Sequence, residues 1–411
     1  MVSLATSLLH EAATLSAELN KHREYLHAHA ETGFVLTYTL PYVKTELEKM
    51  GYVPEDCGRA GVRVLAGGCK TGKVFLLRAD MDALPIPEQS GVAFAARNGC
   101  MHACGHDMHT AMLLGAASLL KQHEAEIQGT VKLMFQPAEE IFEGAADMIC
   151  GGVLENPRVD AALMLHVMAG VPFVPGTIIV SDPGVSAPAA DTFEIRIRGK
   201  GCHGSMPSAG IDPLTAAAHI LIALQEIPAR ELALQDRAVL TVGAIHAGEA
   251  ANVIPDTAIL RGSLRTFAEE VRAAVKQRIR EIATGIAGTF RAAAEVTFSG
   301  GCPPLQNDKA LVADATRYGE ELLGAENVFS VAQLRADSEG GDISRSAGSE
   351  DFAYVSREVP SVMLALAAGQ PKKGYRYPQH HPMVKFDPAA LPFGSAVYAY
   401  TAMRWLKDHT E

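Results

Sequence analysis

Val74-Phe75-Leu76-Leu77-Arg78-Ala79-Asp80-Met81-Asp82-Ala83-Leu84-Pro85 is the stretch on which the fold turns. Its first four residues are an unbroken apolar run of strand length, the pattern of a strand buried on both faces of a parallel sheet. Two acids in alternation, Asp80 and Asp82, follow at its carboxyl end, and Pro85 closes the turn. In open α/β sheets, ligands gather beyond the carboxyl ends of the strands. Two runs further along repeat the design. Val131-Lys132-Leu133-Met134-Phe135 leads into Gln136-Pro137-Ala138-Glu139-Glu140, and Ala161-Ala162-Leu163-Met164-Leu165 leads into His166. Each alone could be a solvated turn, an acid pair at a helix start or a core histidine. Three strand ends carrying ligand chemistry point instead to a site over a central sheet.

Between the first two strands lies His102-Ala103-Cys104-Gly105-His106-Asp107-Met108-His109. Met108, Ala111, Met112, Leu119 and Leu120 then recur at helical spacing. A thiol and an imidazole two positions apart, pinned by Gly105 at a helix entrance, suit a zinc-like ion better than an inert His-rich surface turn. The helix start is expected to lower the thiol pKa.

A chain of 411 residues exceeds one ordinary core, so two domains are expected. With 48% hydrophobic and 20% charged residues, the composition is that of a soluble globular protein. A net charge of −11 argues against a nucleic-acid partner. No apolar run approaches membrane-spanning length. Met1 to Leu19 carries Glu11 and Glu18 and no basic start, unlike a signal peptide. Seven scattered cysteines suit reduced thiols, so a cytoplasmic location is expected.

Ser7 to about Met50 reads as two helices broken near 29–33, with Gly33 as a C-cap. His27 and His29 read as packed or capping residues. The pattern shifts around Asp182-Pro183-Gly184. From about 187 to 298 the order is strand, helix, strand, strand, helix, strand, a ferredoxin-like βαββαβ unit. The expected layout is an α/β catalytic domain at 1–187 and 300–411 with an inserted lid or dimerisation domain at 188–299. Edge strands of the insert offer a route to a homodimer or tetramer. After Gly300, a helix over 310–324, a loop over 338–349, a strand over 361–366, a two-histidine loop at His380-His381 and a final helix over 389–407 complete the chain.

Cys104, His106, Glu139 or Glu140, His166, and His380 or His381 supply donors for two divalent ions, with one glutamate left over as a base. Together with Gly201-Cys202-His203-Gly204-Ser205-Met206-Pro207, Asn252-Val253-Ile254-Pro255-Asp256 and Gly348-Ser349-Glu350-Asp351-Phe352, these motifs resemble one family over nearly the whole chain. It is the metallopeptidase family of aminoacylases and glutamate carboxypeptidases, in its branch of hippurate hydrolases, N-acyl-amino-acid amidohydrolases and indoleacetyl-amino-acid hydrolases. One departure is Ala30, where that branch usually has proline.

The resemblance implies a dinuclear centre holding zinc, manganese, cobalt or nickel. Cys104 would bridge the ions, and His106, Glu140, His166 and His380 would be the other ligands. Glu139 would be the general base and Asp82 an orienting residue, with Asp80 near the metals. His203 would stabilise the oxyanion, in family dimers from the partner subunit. Asn252 would hold the substrate carboxylate, with Arg265 a weaker candidate. The implied activity is hydrolysis of an N-acyl amino acid to a carboxylic acid and a free amino acid. The competing readings are a dipeptidase or carboxypeptidase of the same family, a non-catalytic metal-binding protein, and a cysteine hydrolase using Cys104.

Overall fold

The computed structural model describes residues 3–337 and 348–410. The loop expected over 338–349 therefore falls outside the described residues up to 347. Among the described residues the chain separates into two compact units, one formed by 3–186, 306–337 and 351–410, the other by 187–305 with 348–350.

The first unit is built on an eight-stranded sheet. Val74–Asp80 is buried along its whole length, as the apolar run requires, and lies between the parallel strands Thr130–Gln136 and Ala161–Met168. Ser361–Ala367 extends the parallel set beside Ala161–Met168. Gly61–Gly67 joins antiparallel to Thr130–Gln136, and Ile178–Val180 joins antiparallel to Ser361–Ala367. Asp80, Gln136 and His166 thus come to the same edge of the sheet, because neighbouring parallel strands run in one direction.

The helix His106–Gln122 is apolar on nearly every side and buried almost throughout. It packs against Leu391–Asp408, and the approach is close enough that a Cβ on Gly394 would lie 1.9 Å from the Met112 sulfur. Tyr398 of the same helix donates its hydroxyl to the Arg78 carbonyl (2.7 Å) and accepts from the Leu165 amide (3.1 Å), tying helix to sheet.

The N-terminal region differs from the two helices expected. It forms three: Leu4–Thr14, Ser16–Ala28 and Thr39–Lys49. At the first break, the Thr14 and Ser16 hydroxyls bond to the carbonyls of Glu11 and Ala13, competing with the helical ladder without any Gly or Pro to announce it. His29, not Gly33, caps the second helix, and Gly33 turns the chain four residues later at φ 59°.

The second unit carries four antiparallel strands in the order Ala238–Ala247, Thr257–Thr266, Ala189–Arg198, Ala293–Cys302. Pro213–Leu224 and Glu269–Thr289 cover one face. Asp212 caps the first of these helices by accepting from the Leu214 amide, and Pro213 occupies its first turn. Phe193, Ile195 and Ile197 point into the core between sheet and helices, while the alternating Thr192, Glu194, Arg196 and Arg198 are left exposed or half-buried.

Candidate metal centre

Gly105 sets the local geometry. It enters the helix in the left-handed region at φ 88°, and a Cβ there would lie 2.4 Å from a Val167 methyl. This turn places Cys104 and His106 over the strand ends. His106 donates Nδ1–H to the Asp82 carbonyl (2.8 Å), which leaves Nε2 buried without a hydrogen-bond partner. His166 donates Nδ1–H to the Val167 carbonyl (2.8 Å), so its Nε2 lone pair faces the Cys104 sulfur at 3.4 Å. His380 sits at φ 65°, an uncommon conformation for a non-glycine residue, with its amide bonded to the Ala103 carbonyl (2.9 Å). Its Nε2 lies 3.6 Å from Glu140. His381 is turned elsewhere: Nδ1 accepts from the Met383 amide and the ring stacks on Tyr377 at 4.3 Å.

Cys104 is shared by two triads of donor atoms, one with His106 and His166, the other with Glu140 and His380, each within 4.8 Å. Glu139 and Glu140 form a further group with His106. Asp82 holds the glutamate pair in place, accepting from the amides of Glu139 (2.9 Å) and Glu140 (3.3 Å). Ala138 and Phe142, on either side, both take positive φ, which shows how tightly this turn is constrained.

The electrostatics fit a bound cation. Burial, then the charge of Glu140, pushes the Cys104 thiol up to about 12, although the neighbouring His106 acts in the opposite sense. That corrects the expectation of a thiol acidified by the helix start; desolvation and neighbouring acids outweigh the dipole. Burial alone would lower His106, but the charge of Asp80 and the neighbouring Asp82 and Cys104 hold it well above its ordinary value. Surroundings that favour a proton at His106 Nε2 also favour a divalent ion there, and such an ion would convert Cys104 to the thiolate. The donor set of imidazole, thiolate and carboxylate suits divalent metal ions.

Asp80 is engaged otherwise. It accepts from His109 Nδ1 (2.6 Å) and from the buried Arg78 guanidinium (2.7 Å). His109 Nε2 in turn accepts from the Val167 amide (2.9 Å), so His109 orients the backbone beside His166 and has no lone pair to offer. Arg78 also donates to Gln136 (2.8 Å) and to Asp351 (2.9 Å), and Asp351 accepts from Gln136 (2.7 Å) and the Ala145 amide (2.9 Å). One buried network therefore joins the three strand-end motifs.

In the second unit, His203 is exposed. Its Nδ1 accepts from the Ser205 amide (3.2 Å) and is bonded to the Ser205 hydroxyl (2.8 Å), which puts a ring N–H on Nε2. The Gly204 amide bonds to the Asn252 carbonyl (2.7 Å), holding these two residues together. Arg265 donates to the Ser349 hydroxyl.

His27 is packed, as its sequence position suggested, but its partners were not legible there. It is buried between two carboxylates, Asp107 at 2.9 Å and Glu88 at 3.0 Å. Arg23, one helical turn earlier, bonds to the same Asp107 oxygen (3.2 Å). Two basic residues four apart on one helix face were the signal available.

The fold and site together define a two-unit α/β protein with a candidate dinuclear metal centre. The chain belongs to peptidase family M20/M25/M40, whose model matches residues 76–404. It is 36% identical over 388 residues to an N-acetylcysteine deacetylase of Bacillus subtilis, covering 94% of this chain and 96% of that one. It is 35% identical to an IAA-amino acid hydrolase of Arabidopsis thaliana, covering 94% and 85% respectively. A solved structure from Bacillus subtilis, described as a dinuclear metal-binding peptidase of the M20 family, superposes with a TM-score of 0.77 at 34% identity, covering 96% and 99%.

Proposed function

We propose that the protein is a metal-dependent amidohydrolase that cleaves N-acyl amino acids to a carboxylic acid and a free amino acid. The observation that carries this reading is the sharing of Cys104 by two donor triads with Glu139 alongside. The relatives that act on N-acetylcysteine and on IAA-amino acid conjugates support the substrate class.

Cys104, His106 and His166 would hold one divalent ion, and Cys104, Glu140 and His380 the other. When bound, two such ions supply Lewis acidity and lower the pKa of the attacking water. Glu139, fixed through its amide by Asp82, takes the proton from that water and passes it to the leaving amine. His203 Nε2–H donates to the developing oxyanion, and Asn252 binds the substrate carboxylate. We assign the inserted unit a role in closure and dimerisation, with its edge strand Ala238–Ala247 as the contact, and Arg265 a structural role through Ser349. The seven cysteines are thiols rather than disulfides, which supports a reducing, cytoplasmic setting.

The test is hydrolysis of N-acetyl, N-benzoyl and dipeptide substrates by wild type and Glu139→Gln, with metal content measured in both. Glu139→Gln is expected to keep both ions and lose about two to four orders of magnitude in rate. Loss of an ion instead would make Glu139 the ligand. Activity that survives chelation would sink the metal-dependent reading in favour of a cysteine hydrolase, and a preference for dipeptides would move the substrate class.

A further inference from the structure

The helix Ser16–Ala28 holds none of the proposed metal ligands, yet two of its buried basic side chains bond to Asp107, the residue after His106. Arg23 and His27 are each 4% exposed. His27 contacts Asp107 through Nδ1 and Glu88 through Nε2, so both ring nitrogens face carboxylate oxygens. A neutral imidazole has one N–H, and two carboxylates require two; the ring is therefore an imidazolium. Burial would lower it, but the hydrogen bonds and charges of Asp107 and Glu88 push it up to about 9. Arg23 and His27 against Asp107 and Glu88 make a buried quartet without net charge, with Phe94 edge-on to His27 at 5.2 Å.

Each carboxylate leads to a different ligand segment. Asp107 is the residue after His106, in the first turn of the same helix. Glu88 gathers the loop that follows Asp82, accepting from the Ala96 amide (2.9 Å) and the Ser90 hydroxyl. The next residue, Gln89, donates its amide to the Pro382 carbonyl (2.8 Å), two residues beyond His380. His380 itself is in a strained conformation and is held on its other side by the Ala103 carbonyl. The loop that presents His380 is thus fastened at Ala103 and at Gln89, and the second fastening runs back through Glu88 to His27.

We propose that His27 is a positioning residue, a buried cationic clamp that sets the spacing between the Cys104–His106 segment and the His380 loop and so governs the affinity of the metal position that uses His380. This rests on the two-ion reading above. The Cys104–His106–His166 triad lies on the helix entrance and the strand, with the Nδ1 atoms of His106 and His166 bonded to backbone carbonyls, and does not depend on the clamp. The position with Glu140 and His380 does. Residues that orient ligands from behind typically change metal affinity by about 10–100-fold.

The experiment is a zinc titration, by calorimetry and by metal analysis after gel filtration, of wild type, His27→Gln, Glu88→Gln and the double variant, with no substrate present. Wild type is expected to bind two ions. His27→Gln should keep one affinity unchanged and weaken the other by about tenfold or more. Glu88→Gln, which leaves the His27–Asp107 pair intact, should do the same, and the double variant should lose no more than the larger single loss. Excess zinc should restore kcat in His27→Gln, a rescue that a merely destabilised fold would not show. Two wild-type affinities in Glu88→Gln, or equal weakening of both positions in His27→Gln, would overturn the clamp. If His27→Gln does not fold, Glu88→Gln decides alone. Wild type that binds two ions but hydrolyses no amide would overturn the proposed function and leave the affinity comparison intact.

Discussion

In the unit built on the parallel sheet, Arg78, Asp80 and Asp351 are sealed from solvent and bonded to one another, whereas in the inserted unit Glu194 meets Arg196 and Arg261 on an open sheet face. The sequence pattern explains the contrast. A strand covered on both faces has no solvent side, so Arg78 must find its partners inside. A one-sided antiparallel strand sends every second residue outward, where water already satisfies the charge. Buried pairs act as scaffolding for the metal centre, because breaking one strands a charge; exposed pairs carry little.

The largest effect on stability should come from Asp351→Asn. It removes one of the two buried charges opposing Arg78 and one acceptor for Gln136 or Ala145. A cost of about 3–5 kcal/mol in urea unfolding is expected, as for other broken buried pairs. A change near zero would mean that Asp80 alone neutralises Arg78, and that the network joining the strand ends is not cooperative.

His203→Ala probes the other side of the comparison. His203 is exposed and bonds to Ser205 within its own turn, so stability and metal content should be unchanged. If its Nε2–H serves the oxyanion, the rate should fall by about two to three orders of magnitude. Mixing His203→Ala with Glu139→Gln under confirmed subunit exchange tests action across a dimer. Returning activity supports it; none returning places His203 within its own chain or outside catalysis.

The buried cluster at His27 also gives the first unit a pH signature. A group whose folded pKa is raised contributes stability that is complete below its unfolded value, near 6.5, and lost as pH rises through the folded value. For His27 the loss runs from about 6.5 to about 9. Asp107 is held well below the carboxylate range: burial would raise it, but His27 and Arg23 hold it down. Its contribution is present above about 4 and lost only in acid. Between pH 6.5 and 9 wild-type stability should fall by up to about 3 kcal/mol more than that of His27→Gln, in which His106 and His123 still contribute their own loss. Parallel pH profiles for the two proteins would show that His27 is neutral in the fold.

Much of this was legible in the chain because it was local. The apolar runs before Asp80, Glu139 and His166 marked the strands and the ends at which candidate donor atoms gather. Asp212-Pro213 announced its helix start. His380 and His381 could not be told apart in the chain, since adjacent residues share every sequence neighbour; only three-dimensional geometry separates them, with His380 beside Glu140 and His381 turned to Met383 and Tyr377. Partnerships across long separations were not legible at all. Asp107 lies 80 residues from His27, and Asp351 lies 273 from Arg78. The Cys104 thiol was misjudged for a related reason: a helix start is visible in sequence, but the burial and acids that outweigh it are not.

The smallest expected effect decides whether the contrast belongs to the units or to burial itself. Glu194 accepts from Arg196 (2.8 Å) and Arg261 (2.9 Å), both on the open face, and replacing it by Gln should leave the urea midpoint where it is. Within the same unit, however, Asp191 is 3% exposed and bonded to Arg272 (2.6 and 2.9 Å) and Lys276 (2.7 Å). Asp191→Asn leaves these two cations with a weaker acceptor in a half-dry site, so it should lower the midpoint clearly, though less than Asp351→Asn, because Lys276 and Arg272 retain some solvent. High salt should leave the Asp191 effect largely intact, since buried pairs are poorly screened. If Asp191→Asn proves as silent as Glu194→Gln, burial is not the deciding variable, and the difference lies in how the parallel sheet binds its ions into one network.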